Sequence, residues 1–215
     1  MNSNDIKNSS FYYEAYSKIE EMKKDFPVNH GFVHVDHVVS FCDKLSFCFN
    51  LNKHEKELLV TAALLHDIGY LNGRDNHAHN SGVLAKEYLT STHNYTDEDI
   101  EIICSTISHH GGKTEGDYSS LLDVCIILAD KLDFIASRYN NDLEKHPDVR
   151  AFLEVKDVEF RVDKSLKINI IMNSLNYIND DRFLRYLNKL DFVFDMIYKT
   201  HNIKVEKSFV TYSAS

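Results

Sequence analysis

A chain of 215 residues with 43% apolar side chains and only two prolines can bury a substantial core, which excludes a disordered segment and predicts one large domain or one with an appendage. Its formal net charge of −9 argues against an extended phosphate-backbone footprint, which needs clustered Lys and Arg. An anionic ligand would then need local positive charge such as a bound metal, and 12 histidines against four cysteines make imidazole and carboxylate the expected ligands.

The first residues, MNSNDIKNSS, lack both a basic n-region and an apolar h-region, and a cytoplasmic protein is expected. Tyr12 to about Asp25 is amphipathic at helical spacing and stops before Pro27, whose ring disfavours helix in the residue ahead of it. After the loop FPVNHG, His34 to about Phe49 predicts a second helix with Val35, Val38, Val39, Cys42 and Leu45 on its apolar face. Asn52 followed by Glu55 is a capping-box pattern. It opens a third helix that carries Leu58, Leu59, Ala62, Ala63 and Leu65 into His66 and ends near Gly69. His77 to about Leu89 is the next helix, and Thr96 ahead of Asp97, Glu98 and Asp99 caps another that should stop at Gly111-Gly112. Ser119 to about Tyr139 predicts the most apolar helix.

Beyond Pro147 the period changes. Val158, Phe160 and Val162 alternate, Asp163-Lys164 offers a turn, and Leu166, Ile168 and Ile170 alternate again, which predicts a β-hairpin. Asp180 to about Lys199 returns to helical spacing, with Phe183, Leu187, Leu190, Phe194 and Ile197 on one face. Ile203 to Tyr212 reads as a further strand. The expected fold is mainly α, a helical bundle over residues 1–147 with a small C-terminal α+β appendage over 148–215. The longest apolar runs, 58–65 and 124–129, fall short of the roughly 20 residues of a bilayer span. Cys42, Cys48, Cys104 and Cys125 show no CxxC spacing and read as reduced core thiols.

The run LLHDIGY ends an apolar helix by setting His66 beside Asp67. An unpaired carboxylate in a buried place is costly, so Asp67 should be exposed, hydrogen-bonded or bound to a cation. Its company adds weight: His34 starts an earlier helix, His77 starts a later one, and His109-His110 ends another. Asp130 lies inside CIILADKLDF, where a core residue is expected. The alternative is a set of solvated helix ends, with a histidine beside the glycines acting as a C-terminal cation when protonated. His30, His54, His93, His146 and His201 fall in loops or near helix ends, where exposure is the expectation.

His34, the pair His66-Asp67 and the distant Asp130, set in HVDHV, LLHDIGY and ILADKLD, resemble the pattern of the HD superfamily, in which these residues converge on one metal. The stretches HAHNSGVLAKEYL, from His77, and ISHHGG, with His110, resemble the further ligands of its two-metal members. The resemblance covers about Gly31 to Tyr139, and in overall look the chain is similar to HD hydrolases acting on dinucleoside polyphosphates. Tyr70 stands where several relatives carry a phosphate-binding lysine, His37 stands where many carry Arg, and no GYP tripeptide follows His109-His110.

The resemblance implies an HD-domain helical bundle that binds one or two divalent metals, Mn, Fe, Co or Ni before Mg or Zn. The implied ligands are His34, His66, Asp67, His77, His110 and Asp130, with Asp67 also placed to orient the nucleophile. The expected reaction is phosphoester or phosphoanhydride hydrolysis by metal-activated water. Arg74 and Lys131 flank the ligands as candidate contacts to a small phosphorylated substrate, a nucleotide first. A homodimer is compatible with the sequence. Two other readings stay open, a di-iron oxygenase with the same six ligands and a non-catalytic module stabilised by metal. The places of His37, His79 and His109 are also open.

Overall fold

The computed structural model describes residues 2–211. By contacts along the backbone the chain forms two compact units: Met1–Lys24 with His30–Asp130, and Asp25–Asn29 with Lys131–Ser215. Residues 131–147, which the sequence reading groups with the bundle, belong to the second unit.

The first unit is helical. It begins with a short helix, α1 (Ser3–Lys7), and continues through α2 (Ser10–Lys23) and α3 (Phe32–Cys48). Gly31 precedes α3 and has no side chain to cap it; the Glu20 carboxylate of α2 accepts the Phe32 amide instead, at 3.1 Å. Helix α3 therefore starts two residues earlier than expected, and His34 lies within its first turn, fully buried. Helix α4 (Lys53–Leu65) opens on the expected capping box: the Asn52 side chain accepts from Glu55 N while the Glu55 carboxylate accepts from Asn52 N. Its far end is fixed by the buried Tyr16 hydroxyl, which donates to the Leu64 carbonyl at 2.9 Å. A 3-10 turn, Ile68–Asn72, follows directly after His66 and Asp67.

Helices α5 (His77–Thr92) and α6 (Asp97–His109) follow, the latter capped by Thr96, whose hydroxyl accepts Asp99 N at 3.1 Å. Gly112, at φ +59°, turns the chain away just past α6, as the Gly-Gly signal predicts. Helix α7 (Leu121–Leu132) starts on a reciprocal pair, Asp123 N donating to Ser120 Oγ and Ser120 N to Asp123 Oδ2.

The long helix expected to reach Tyr139 stops at Leu132. The Asp133 carbonyl, which would continue the ladder, instead accepts the Arg138 guanidinium at 2.6 Å. Tyr139 pairs with Val28 in an antiparallel bridge, and Asn29 N donates to the Arg138 carbonyl at 2.8 Å. Apolar periodicity carries no trace of these partners, which lie about 110 residues away in the chain.

The rest of the second unit is α+β. Strands β1 (Val155–Val162) and β2 (Leu166–Met172) form the expected antiparallel hairpin, and β3 (Val205–Thr211) adds parallel to β2 after helix α8 (Asp181–His201). Tyr212, which the sequence reading includes in β3, lies outside the described residues. Leu166, Ile168, Ile170 and Met172 are all buried, at the period of two that a one-sided sheet requires. Helix α8 buries Phe183, Leu187, Leu190, Val193, Phe194 and Ile197, and the Phe183 ring lies 6.4 Å from that of Phe209 in β3. Among the described residues no helix is long and apolar enough to cross a membrane.

Candidate metal centre

Five helices and one turn of the first unit bring the six expected ligands together. His34 comes from α3, His66 and Asp67 from the end of α4 and the turn after it, and His77 from the first residue of α5. His110 follows α6, and Asp130 lies on α7. His34, His66, Asp67 and His110 are buried, while Asp130 and His77 are partly open. Among the described residues the grouped donor sets are His34, His66 and Asp130; Asp67, His77 and His110; and His30, His34 and Asp67, each within 4.8 Å.

Asp67 is the hub. Its Oδ2 lies 3.3 Å from His34 Nε2 and 3.4 Å from His66 Nε2, while its Oδ1 lies 3.6 Å from His110 Nε2 and 3.7 Å from His77 Nε2. Asp130 Oδ1 closes the first group at 3.3 Å from His34 Nε2. Burial by itself would raise the Asp67 carboxyl, but the charge of His66 and hydrogen bonds from His30, His34 and His66 hold it well below the usual carboxylate range. The hub is therefore an anion that only accepts hydrogen bonds.

The tautomers carry further information. His77 Nδ1 faces the Arg74 carbonyl at 3.1 Å and His110 Nδ1 faces the Ile107 carbonyl at 2.7 Å. A carbonyl only accepts, so both Nδ1 atoms carry the proton and, in the neutral rings, both Nε2 atoms carry lone pairs. Those two Nε2 atoms face each other at 3.1 Å. Two lone pairs at that distance require a cation between them, either a proton on one ring or a metal ion shared by both. His66 is fixed the same way, Nδ1 to the Ala63 carbonyl at 2.8 Å, and turns its Nε2 toward His34 Nε2 at 3.1 Å.

Backbone carbonyls that orient imidazoles by their far nitrogen are the usual support of metal-binding histidines. Nitrogen donors about 2.1 Å from a common ion lie roughly 3.0 to 3.4 Å apart, so the two imidazole pairs fit a divalent cation.

The other sequence candidates fall elsewhere. Arg74 is exposed, and only its carbonyl, through His77, reaches the donor set. Lys131 follows Asp130 in the chain, is half-buried, and offers its carbonyl to the Tyr186 hydroxyl at 2.7 Å. His109 Nδ1 lies 3.2 Å from the buried Asp123 carboxylate, an ion-pair distance without hydrogen-bond alignment. His37 is half-buried and His79 exposed, and neither joins a grouped donor set among the described residues.

One residue overturns its expectation. His30, read as an exposed loop histidine, is 21% exposed at its side chain and meets Asp67 Oδ2 with Nδ1 at 3.0 Å. Its ring packs on that of Tyr70 at 4.4 Å, and Tyr70 also stacks on His77 at 4.4 Å and 21°. The spacing His30 to His34, one helical turn, was the available signal. The irregular FPVNHG stretch hid it, because helical spacing is not expected to hold across a loop.

A crystal structure described as a predicted HD superfamily hydrolase, from an uncultured Thermotogales bacterium, is similar at 18% identity and a TM-score of 0.45, over 66% of this chain and 82% of that one. No curated protein matches. The family model of the HD domain matches residues 32–135, the segment that holds all six clustered ligands. That segment, just under half of the chain, matches the HD domain.

Proposed function

We propose that the protein is a metal-dependent phosphohydrolase that cleaves a phosphoester or phosphoanhydride of a nucleotide or similar small molecule. The observation that carries this reading is Asp67, which turns one carboxylate oxygen toward the His34 and His66 pair and the other toward the His77 and His110 pair. A carboxylate so shared suits two divalent ions, which when bound lower the pKa of a coordinated water and polarise a phosphoryl oxygen. His34, His66 and Asp130 would hold one ion, His77 and His110 the other, with Asp67 between them.

The chain's own contribution is positional. Three carbonyls, those of Ala63, Arg74 and Ile107, aim the imidazoles, and the burial of His34, His66, Asp67 and His110 keeps the donor set dry and its charge effects strong. Arg74 and Lys131 are the proposed cations for substrate phosphate oxygens. With an overall charge of −9, the ions themselves would supply most of the positive charge a phosphate meets. The mixed imidazole and carboxylate set suits Mn, Fe, Co or Ni.

The test is elemental analysis of the purified protein, followed by phosphate release from a panel of nucleotides and phosphodiesters with Mn, Fe, Co and Ni. Metal-dependent turnover that Asp67→Ala abolishes supports the reading. Bound metal with oxygen uptake and no phosphate release would replace it with an oxygenase. Bound metal with neither activity would leave a metal-stabilised module.

A further inference from the structure

His30 lies outside the six-ligand pattern, yet its Nδ1 stands 3.0 Å from Asp67 Oδ2, nearer than the 3.3 Å of His34 Nε2 and the 3.4 Å of His66 Nε2. Asp67 as an anion only accepts, so the proton of that hydrogen bond belongs to His30 Nδ1, and the other ring nitrogen is left as an acceptor. Facing that Nε2, at 3.5 Å, is the hydroxyl of Tyr70. The ring is held on a second side by its 4.4 Å contact with the Tyr70 ring and on a third by an edge contact with His34 at 5.6 Å. Both nitrogens of His30 thus have neighbours other than an ion: the carboxylate on one side and the phenol on the other.

We infer that His30 is a positioning residue for the metal centre: it donates from Nδ1 to Asp67 Oδ2 and fixes the carboxylate in the rotation that offers one oxygen to each imidazole pair. The inference rests on the two-ion reading above and adds to it the device that makes Asp67 a bridge. A carboxylate is free to turn about its own axis. Without a donor on Oδ2 it can swing both oxygens toward the His34 and His66 pair and leave the His77 and His110 pair with two donors in place of three. Tyr70 has a matching role, since its ring packs at a tilt against His30 and stacks on His77 and so keeps the donor and the second imidazole pair in register. This also gives Tyr70, the residue after HDIG, a structural use at the place where a phosphate-binding lysine is absent.

The test compares wild type with His30→Ala and His30→Asn by Mn titration of the chelator-treated protein, read as stoichiometry and affinity by calorimetry. Side-chain donors that support a metal ligand typically contribute about 10- to 100-fold in affinity, and His30→Ala is expected to lose that much, at the weaker of two sites. Asn places an amide N–H near the position of Nδ1 but has no imidazole nitrogen to offer an ion, so His30→Asn should recover most of the loss. Circular dichroism of both variants without metal separates loss of affinity from loss of fold, and the Asn variant keeps the test decisive if the Ala variant unfolds. Loss in both variants alike would make His30 a ligand rather than a positioner and overturn the inference, as would unchanged affinity in His30→Ala. A wild type that binds two ions but hydrolyses nothing leaves the His30 inference standing while the phosphohydrolase reading fails. A wild type that binds no metal removes both.

Discussion

The two units bury different kinds of interior. The first closes helices around His34, His66, Asp67 and His110, and the second closes a sheet and a helix around Phe134, Phe152, Phe183, Ile168 and Ile170. In the second unit the charged groups buried among the described residues are Asp133 and Arg138, whose side chains lie 3.7 Å apart and whose hydrogen bonds also fasten the chain at Asn29. In the first unit His34 and His66 face each other Nε2 to Nε2, and so do His77 and His110. A core of rings is complete in itself, whereas a core of converging ligands is complete only with a cation. Both units pack apolar side chains, and the first also holds in its interior a set of donors that a divalent ion would complete.

The largest expected effect follows from that contrast. Metal that binds only the folded state stabilises by about 4 kcal/mol for each site at a thousandfold excess over its dissociation constant. Chelator-treated protein should therefore gain on the order of 8 kcal/mol when both sites fill, seen as a large rise in melting temperature on adding Mn. Identical melting curves with and without metal would break the comparison, because the ligand cluster would then be satisfied by protons alone.

Next in size is a cut in the other core. Phe183 is fully buried, with its ring 5.2 Å from Phe152 and 6.2 Å from Phe134. Phe183→Ala should cost about 3–5 kcal/mol, the usual range for a buried ring reduced to a methyl group. Denaturant unfolding measures the loss, and calorimetric titration of the same variant, at a temperature where it remains folded, should give unchanged Mn stoichiometry. A lost ion would mean that the two interiors are not independent.

The ligands were legible in the sequence because each lies in a short stretch of characteristic residues, LLHDIGY above all, and because helices deliver side chains from fixed positions. The capping boxes and the hairpin were legible for the same reason: each is a local pattern whose partners lie within a few residues. What the sequence concealed is non-local. Helix α7 stops at Leu132 because Arg138, held against Asn29, takes the Asp133 carbonyl, and His30 meets Asp67 across 37 positions of chain. The third strand was expected, but not that it pairs parallel to β2, since direction depends on the α8 crossover rather than on alternation.

The smallest effect tests how finely the first interior is divided. Gly69, in the turn after Asp67, donates its amide to the buried Ser81 hydroxyl at 2.8 Å and approaches α5 so closely that a Cβ would stand 2.2 Å from the His77 carbonyl and 2.4 Å from Ser81 N. Both obstacles are backbone, which cannot rotate aside. Gly69→Ala must therefore push the first turn of α5 away, at a cost of about 1–3 kcal/mol for overpacking, and His77 moves with that turn. His34, His66 and Asp130 are carried by α3, α4 and α7 and stay in place. On the two-ion reading, at an Mn concentration just sufficient to fill both sites of the wild type, the variant should bind one ion. Equal weakening of both ions would mean that the turn gives way rather than α5, dragging Asp67 with it. The carboxylate would then be the single support on which both halves of the centre depend.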